Sequence, residues 1–189
     1  MSDPAAKNST GAATLPGPRQ TRRYGTVVFS HGKESGPWGA KITAMADVVR
    51  RLGAAVESVD YRGMNDPSDR IRTLVGTMAT MDGGVVLVGS SMGGHVAAAA
   101  AAEVAPRGLF LLAPAFYMPG FEAHTPQAVT CPIAILHGWR DDVVPVANSV
   151  RWAGEHFATL HLLDSDHRLE DQLPMICLLL QTFLESLDQ

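Results

Sequence analysis

Val85-Val86-Leu87-Val88-Gly89-Ser90-Ser91-Met92-Gly93-Gly94-His95 is followed by Val96, six alanines (Ala97 to Ala102), Glu103 and Val104, so strand, turn and helix signals stand in immediate succession. Four β-favouring apolar residues without alternation suit a strand buried on both faces. The alanine run suits a helix packed very close to that strand. Between them, Gly89-Ser90-Ser91-Met92-Gly93 matches G-x-S-x-G, in which a serine occupies a sharp strand-to-helix turn. Such a turn crowds the positions two before and two after the serine, which must therefore be very small. Gly89 and Gly93 meet that demand around Ser91. Centring the motif on Ser90 would place Val88 and Met92 at the crowded positions, so Ser91 is the nucleophile candidate.

The competing reading of a glycine-rich turn is a phosphate cradle. A dinucleotide fingerprint needs G-x-G-x-x-G, and here Ser91 stands at its third position. A Walker-type loop needs lysine after its last glycine, and His95 follows Gly94. Both phosphate readings fail on these departures.

Outward from this stretch, from Thr26 on, short apolar runs alternate with longer segments of helical period. That alternation predicts an α/β fold, a mostly parallel six-stranded sheet flanked by helices. The strands read as 26–30, 54–59, 85–88, 109–112, 133–136 and 159–162. Ile42, Met45, Val49 and Leu52 recur at helical spacing before Gly53, a residue able to take a left-handed cap conformation. Ile71, Leu74, Val75 and Met78 do the same after Asp66-Pro67. Pro145 and Pro174 each open a further helix.

Length and composition bound the rest. The 189 residues suit one domain with a sizeable core, read as residues 26–189, preceded by a disordered tail over residues 1–25. That tail mixes Ser, Thr, Ala, Gly and Pro without period and has no apolar signal core. Arg19, Arg22 and Arg23 make its end basic, and an organellar presequence is the weaker alternative, because early arginines are missing and Asp3 is present. A net charge of −4 supplies no footprint for nucleic acid. No run approaches the roughly 20 apolar residues of a membrane span. Cys131 and Cys177 lie far apart in or beside apolar segments, as reduced thiols do, and point to a cytoplasmic location. Nothing in the pattern specifies an oligomeric state.

In open α/β sheets, ligands bind beyond the carboxyl ends of the strands, so chemistry belongs to residues just after each apolar run. His31-Gly32-Lys33, Ser91, Asp141-Asp142 and His167 stand there. An activated serine needs a base within hydrogen-bond reach, and the base needs an acceptor that fixes its tautomer. Asp141 and His167 follow successive strands, and the 26 residues between them fit one helix and one strand. Asp142 is the alternative acid. His31 and His137 each precede glycine at a strand end, where imidazoles buttress loops. His95 lies too near Ser91 in sequence to receive its proton, and His124, His156 and His161 carry no motif. No H-x-H or H-E-x-x-H spacing occurs, so no metal and no cofactor is expected. A carbonyl oxygen that gains charge needs preorganised N–H donors, and Met92 offers one at a helix start.

His137-Gly138-Trp139-Arg140-Asp141-Asp142-Val143-Val144-Pro145 resembles the HGxxDxxVP motif of the α/β-hydrolase superfamily, with its aspartate on Asp141. The order Ser91, Asp141, His167 is also that superfamily's order. Ser165-Asp166-His167-Arg168 resembles the histidine loop of small serine hydrolases of the ABHD-ten thioesterase type. The resemblance covers residues 26–187 and implies an α/β-hydrolase fold with a catalytic triad of Ser91, Asp141 and His167. It further implies a second oxyanion donor from the backbone of Lys33, the residue after the first strand's His-Gly. Residues 113–132 occupy the place where larger relatives insert a cap, and their shortness implies a minimal one. Phe116, Tyr117, Met118 and Phe121, with Trp38 and Trp139, are candidates to wall an apolar substrate site. The expected enzyme is a serine hydrolase, a carboxylesterase or acyl thioesterase, acting on a small-molecule or acylated-protein substrate. A non-catalytic binding protein on the same fold is the alternative.

Overall fold

The computed structural model describes residues 25–81, 84–120, 122–127 and 129–188. The tail expected over residues 1–25 lies outside these except for Gly25, and so does Phe121. Among the described residues, six strands alternate with five α-helices. In chain order they are β1 (Thr26–Ser30), α1 (Ala40–Arg51), β2 (Ala55–Val59), α2 (Pro67–Met78), β3 (Val85–Ser90), α3 (Met92–Val104), β4 (Gly108–Leu112), β5 (Ile133–Gly138), α4 (Val146–His156), β6 (Thr159–Leu163) and α5 (Leu173–Ser186).

The strands lie in the order β2-β1-β3-β4-β5-β6, and every pairing is parallel. A parallel neighbour requires a crossover, and helices supply it from both sides of the sheet except between β4 and β5, where the described residues hold only a 3₁₀ turn at Glu122–His124. Successive side chains of β1 show the result. Val27 and Phe29 join one core with Ile42, Met45 and Val49 of α1 and Ile176, Leu180 and Leu184 of α5. Val28 points the other way, into a second core with Leu74 of α2, the alanines of α3 and Trp152 of α4. Burial on both faces is why β1, β3, β4 and β5 read as unbroken apolar runs.

Local signals set the helix ends. Asp66 caps α2 by accepting the Ser68 N–H at 2.8 Å, with Pro67 at the first helical position. Gly53 takes φ +82° just beyond α1, as its place after the last apolar residue implied. Two strands run further than their apolar cores: β3 includes Gly89-Ser90, and β5 includes His137-Gly138. Their pairing explains it, since Gly89 lies between Ser30 and Leu111 and Gly138 opposite Leu163, contacts that local propensity does not register.

Strand order reverses between β1 and β3: the chain leaves β1 for one edge and then crosses to build the other. A crevice beyond the strand ends opens at such a reversal. His31-Gly32-Lys33 leaves β1 there, and Ser91 leaves β3 beside it. No helix among the described residues is long and apolar enough to cross a membrane. Cys131 and Cys177 are both free thiols, half-buried, and burial pushes each above the usual thiol range.

Candidate active site

Ser91 sits between β3 and α3 with φ 54° and ψ −122°, a conformation that costs a non-glycine residue about 1–3 kcal/mol. The surroundings hold it there. Ser91 N–H donates to Leu112 O at 2.9 Å, and its carbonyl accepts the N–H groups of Gly94, His95 and Ala115 at 2.9, 3.2 and 3.0 Å. A Cβ on Gly89 would stand 2.5 Å from Gly93 O and 2.7 Å from Gly94 Cα. One on Gly93 would stand 2.0 Å from Ser30 O. These are backbone atoms of α3's first turn and of β1, held by their own hydrogen bonds, so α3 reaches the sheet only because both residues are glycine. Gly93→Ala is expected to cost about 4 kcal/mol or more, lowering Tm by roughly 8–16 °C. Gly154 of α4 has nothing within 4 Å of a built Cβ, and Gly154→Ala should instead add about 0.5–1 kcal/mol. Thermal unfolding followed by circular dichroism checks both, and an unchanged Tm for Gly93→Ala would refute this packing account.

His167 and Asp141 arrive from neighbouring loops. A Cβ on Gly138 would lie 2.4 Å from Ser165 O, and Arg140 N–H donates to that carbonyl at 2.9 Å, so the loops after β5 and β6 pack directly together. Asp166 stabilises the second loop by accepting the N–H groups of Arg168 and Leu169 at 2.9 and 3.3 Å. The outcome is a continuous chain of contacts: His167 Nε2 lies 3.0 Å from Ser91 Oγ, and His167 Nδ1 lies 2.7 Å from Asp141 Oδ2. A carboxylate can only accept, so Nδ1 carries the proton and Nε2 accepts from the serine hydroxyl. Asp142 is exposed and takes no part.

The Asp141 carboxylate is fully buried, and all its acceptor capacity is used. Oδ1 accepts the N–H groups of Val143 and Val144 at 2.9 and 2.8 Å, and Oδ2 faces His137 Nε2 at 2.9 Å as well as His167. Burial pushes its pKa up, but the hydrogen bond from His167 and the two backbone donors outweigh this and hold it below the usual carboxylate range. His137 is wholly buried, its Nδ1 2.7 Å from Ser149 Oγ and its Nε2 3.0 Å from Val144 O. Two acceptors at Nε2 require the proton there, and burial keeps the ring neutral by lowering its pKa.

On the other side of Ser91, a Cβ on Gly32 would lie 3.4 Å from Ser91 Cβ and from Ser90 O, so the loop after β1 runs against the serine. His31 accepts the Tyr61 N–H at Nε2, 2.9 Å, which leaves Nδ1 protonated to donate to Gly32 O at 2.7 Å. The side chain of Lys33 is exposed. At Met92, the first residue of α3, the N–H has no intrahelical acceptor.

The expected apolar wall is corrected in two places. Phe116 is completely buried, its ring stacked on Trp152 at 4.8 Å, and is a core residue. Tyr117 turns away from the strand ends: its hydroxyl donates to Glu155 Oε2 at 2.6 Å near the far end of α4, and Arg151 lies 4.1 Å over its ring. The physical reason is the path of residues 113–117. Ala113 and Tyr117 take φ 42° and 48°, and Asn148 Nδ2 donates to Phe116 O at 2.7 Å, which folds the segment down onto α4. Trp38 and Trp139, on the loops that carry Lys33 and Asp141, are exposed by 48% and 57%, and the Trp38 ring is turned along α1, 5.6 Å from the guanidinium carbon of Arg50 in its last turn. Sequence spacing missed Arg70, buried on α2, and Lys41, whose Nζ donates to Arg168 O at 2.7 Å behind the histidine loop. Arg70 left a signal: it lies four residues before Leu74 and eight before Met78, on the buried stripe.

Comparison with known proteins agrees with this architecture. The model of the alpha/beta hydrolase family matches residues 27–183. A crystal structure from Xanthomonas campestris pv. campestris, assigned to the hydrolase alpha/beta superfamily, superposes with a TM-score of 0.80 at 32% identity, over 86% of this chain and 98% of that one. A serine hydrolase without lid from Xanthomonas campestris shares the fold at TM-score 0.69 and 23% identity, over 91% and 86% of the two chains. The bovine mitochondrial palmitoyl-protein thioesterase ABHD10 is 36% identical over 70 residues, a stretch amounting to 35% of this chain and 22% of that enzyme. With the sheet order and a family match over most of its length, this chain belongs to the alpha/beta hydrolase family.

Proposed function

We propose that this protein is a serine hydrolase that cleaves carboxylic esters or thioesters of apolar acyl groups through an acyl-enzyme on Ser91. The observation that carries the reading is the unbroken hydrogen-bonded chain from Ser91 Oγ through His167 to buried Asp141. His167 Nε2 takes the hydroxyl proton as Oγ attacks the carbonyl carbon, and the negative oxygen is received by the N–H groups of Met92 and Lys33. Collapse expels the alcohol or thiol, protonated by His167, and water repeats the sequence to release the acid. Asp141 keeps Nδ1 protonated and stabilises the imidazolium.

The acyl preference rests on Trp139, exposed apolar surface on the loop that carries Asp141. The thioester branch draws support from the thioesterase named among the relatives. Turnover of 4-nitrophenyl esters of graded chain length, alongside acyl thioesters of N-acetylcysteamine, tests the reading. Hydrolysis that rises with acyl length is expected. Absence of hydrolysis of either series by folded protein would overturn it in favour of a binding module.

A further inference from the structure

Arg70 is the most deeply buried cation of the described residues, 2% exposed, and no carboxylate among them lies within ion-pair distance. Burying a guanidinium against neutral partners is costly, and a fold that retains one concentrates positive charge where it sits. Its partners define that place. Nε donates to Met64 O at 2.8 Å, Nη1 is shared between His31 O and Gly32 O at 3.3 Å each, and the guanidinium carbon lies 5.2 Å over the Tyr61 ring. Gly32 O belongs to the same peptide unit as Lys33 N. The second donor on Gly32 O is His31 Nδ1, so both lone pairs of this carbonyl are engaged from behind.

We propose that Arg70 is the positioning residue of the oxyanion hole: its guanidinium, with the His31 imidazole, fixes and polarises the Gly32–Lys33 peptide so that the Lys33 N–H is aimed beside Ser91. Two effects follow from one placement. Donors on the carbonyl prevent the peptide from flipping, and a cation at the oxygen end of an amide draws electron density toward it, making the opposite N–H a stronger donor. The charge is also fixed before reaction begins, so it stabilises a developing oxyanion without reorganisation. Arg70 touches neither substrate nor serine. The proposal rests on the serine-hydrolase reading above and assigns a residue on which that reading is silent.

The test compares wild type with R70M and R70K. With 4-nitrophenyl butyrate, R70M is expected to lose about 10- to 100-fold in kcat, with KM within about 2-fold of wild type. Affinity for an alkyl trifluoromethyl ketone, which forms a tetrahedral adduct with its oxygen in the hole, should fall by the same factor. Affinity for the corresponding methyl ketone should not change, a separation that general disruption of the substrate site would not produce. R70K keeps the charge but not the fork, and is expected to lose about 3- to 10-fold in the same two quantities. Wild-type turnover in R70M, or equal loss of both ketones in either variant, overturns the proposal. Should R70M not fold, R70K decides alone, and undiminished trifluoromethyl ketone affinity there overturns it. Wild-type protein that forms no adduct with a trifluoromethyl ketone or a fluorophosphonate overturns the hydrolase reading itself, whereas adduct formation with unchanged R70M removes only the role of Arg70.

Discussion

Ser91→Ala is expected to abolish labelling by a fluorophosphonate probe and to lower kcat for any accepted ester by about 10⁶-fold, leaving the fold intact. The size of the effect follows from what the hydroxyl does. Without Oγ no covalent intermediate forms, and the remaining backbone donors can only bind and polarise a carbonyl for attack by water. Stability should move little, for three reasons. Alanine keeps the Cβ, so the strained φ of 54° is neither relieved nor worsened. The backbone bonds to Leu112, Gly94, His95 and Ala115 do not involve the side chain. His167 is 18% exposed, so water replaces the lost hydroxyl contact. Intact-mass spectrometry after probe treatment, with thermal unfolding in parallel, checks both halves. Labelling of Ser91→Ala at the wild-type rate would remove Ser91 from the mechanism.

Asp141→Asn is expected to lower kcat by about 10⁴-fold, the second largest loss. Asn retains one acceptor oxygen for the four donors that converge on this carboxylate. If that oxygen stays with the Val143 and Val144 N–H groups, the new NH₂ faces His167 Nδ1. The imidazole then shifts its proton to Nε2 and donates to Ser91 instead of accepting from it, which disables the base. The same NH₂ meets the His137 Nε2–H, so this buried donor keeps only Val144 O and faces another donor, at a cost of about 1 kcal/mol. A pH–rate profile and an unfolding curve of the variant check this. Asp142→Asn, on an exposed side chain, is the control, and a larger loss there than in Asp141→Asn would reassign the acid.

The site was legible where chemistry demands particular residues at particular strand ends. Gly89 and Gly93 could be placed around Ser91 from volume alone, and the built-Cβ distances of 2.5 and 2.0 Å agree with that argument. The place of His31 and His137 before glycine predicts buttresses, and both imidazoles are buried and hydrogen-bonded to loop carbonyls. What they support was not legible. His137 shares Oδ2 of Asp141 with His167, which reaches it only once β5 and β6 have paired, and His31 donates to the Gly32 carbonyl in the tautomer set by the Tyr61 N–H, which β1–β2 pairing brings to it. Phe116 and Tyr117 depart from the expected apolar wall because composition reports an aromatic cluster without its direction. Adjacent residues point opposite ways, and the turn at Ala113 decides which way each goes.

By itself the sequence determined the α/β alternation, the strand that carries the serine and the order of the three candidate catalytic residues, because apolar periodicity and glycine spacing act over a few neighbouring positions. Only the tertiary structure decided the sheet order that sets Gly32 against Ser91, the downward fold of residues 113–117 and the burial of Arg70. These depend on contacts between distant segments, and a buried cation shows its purpose only when the carbonyls that surround it have been brought together.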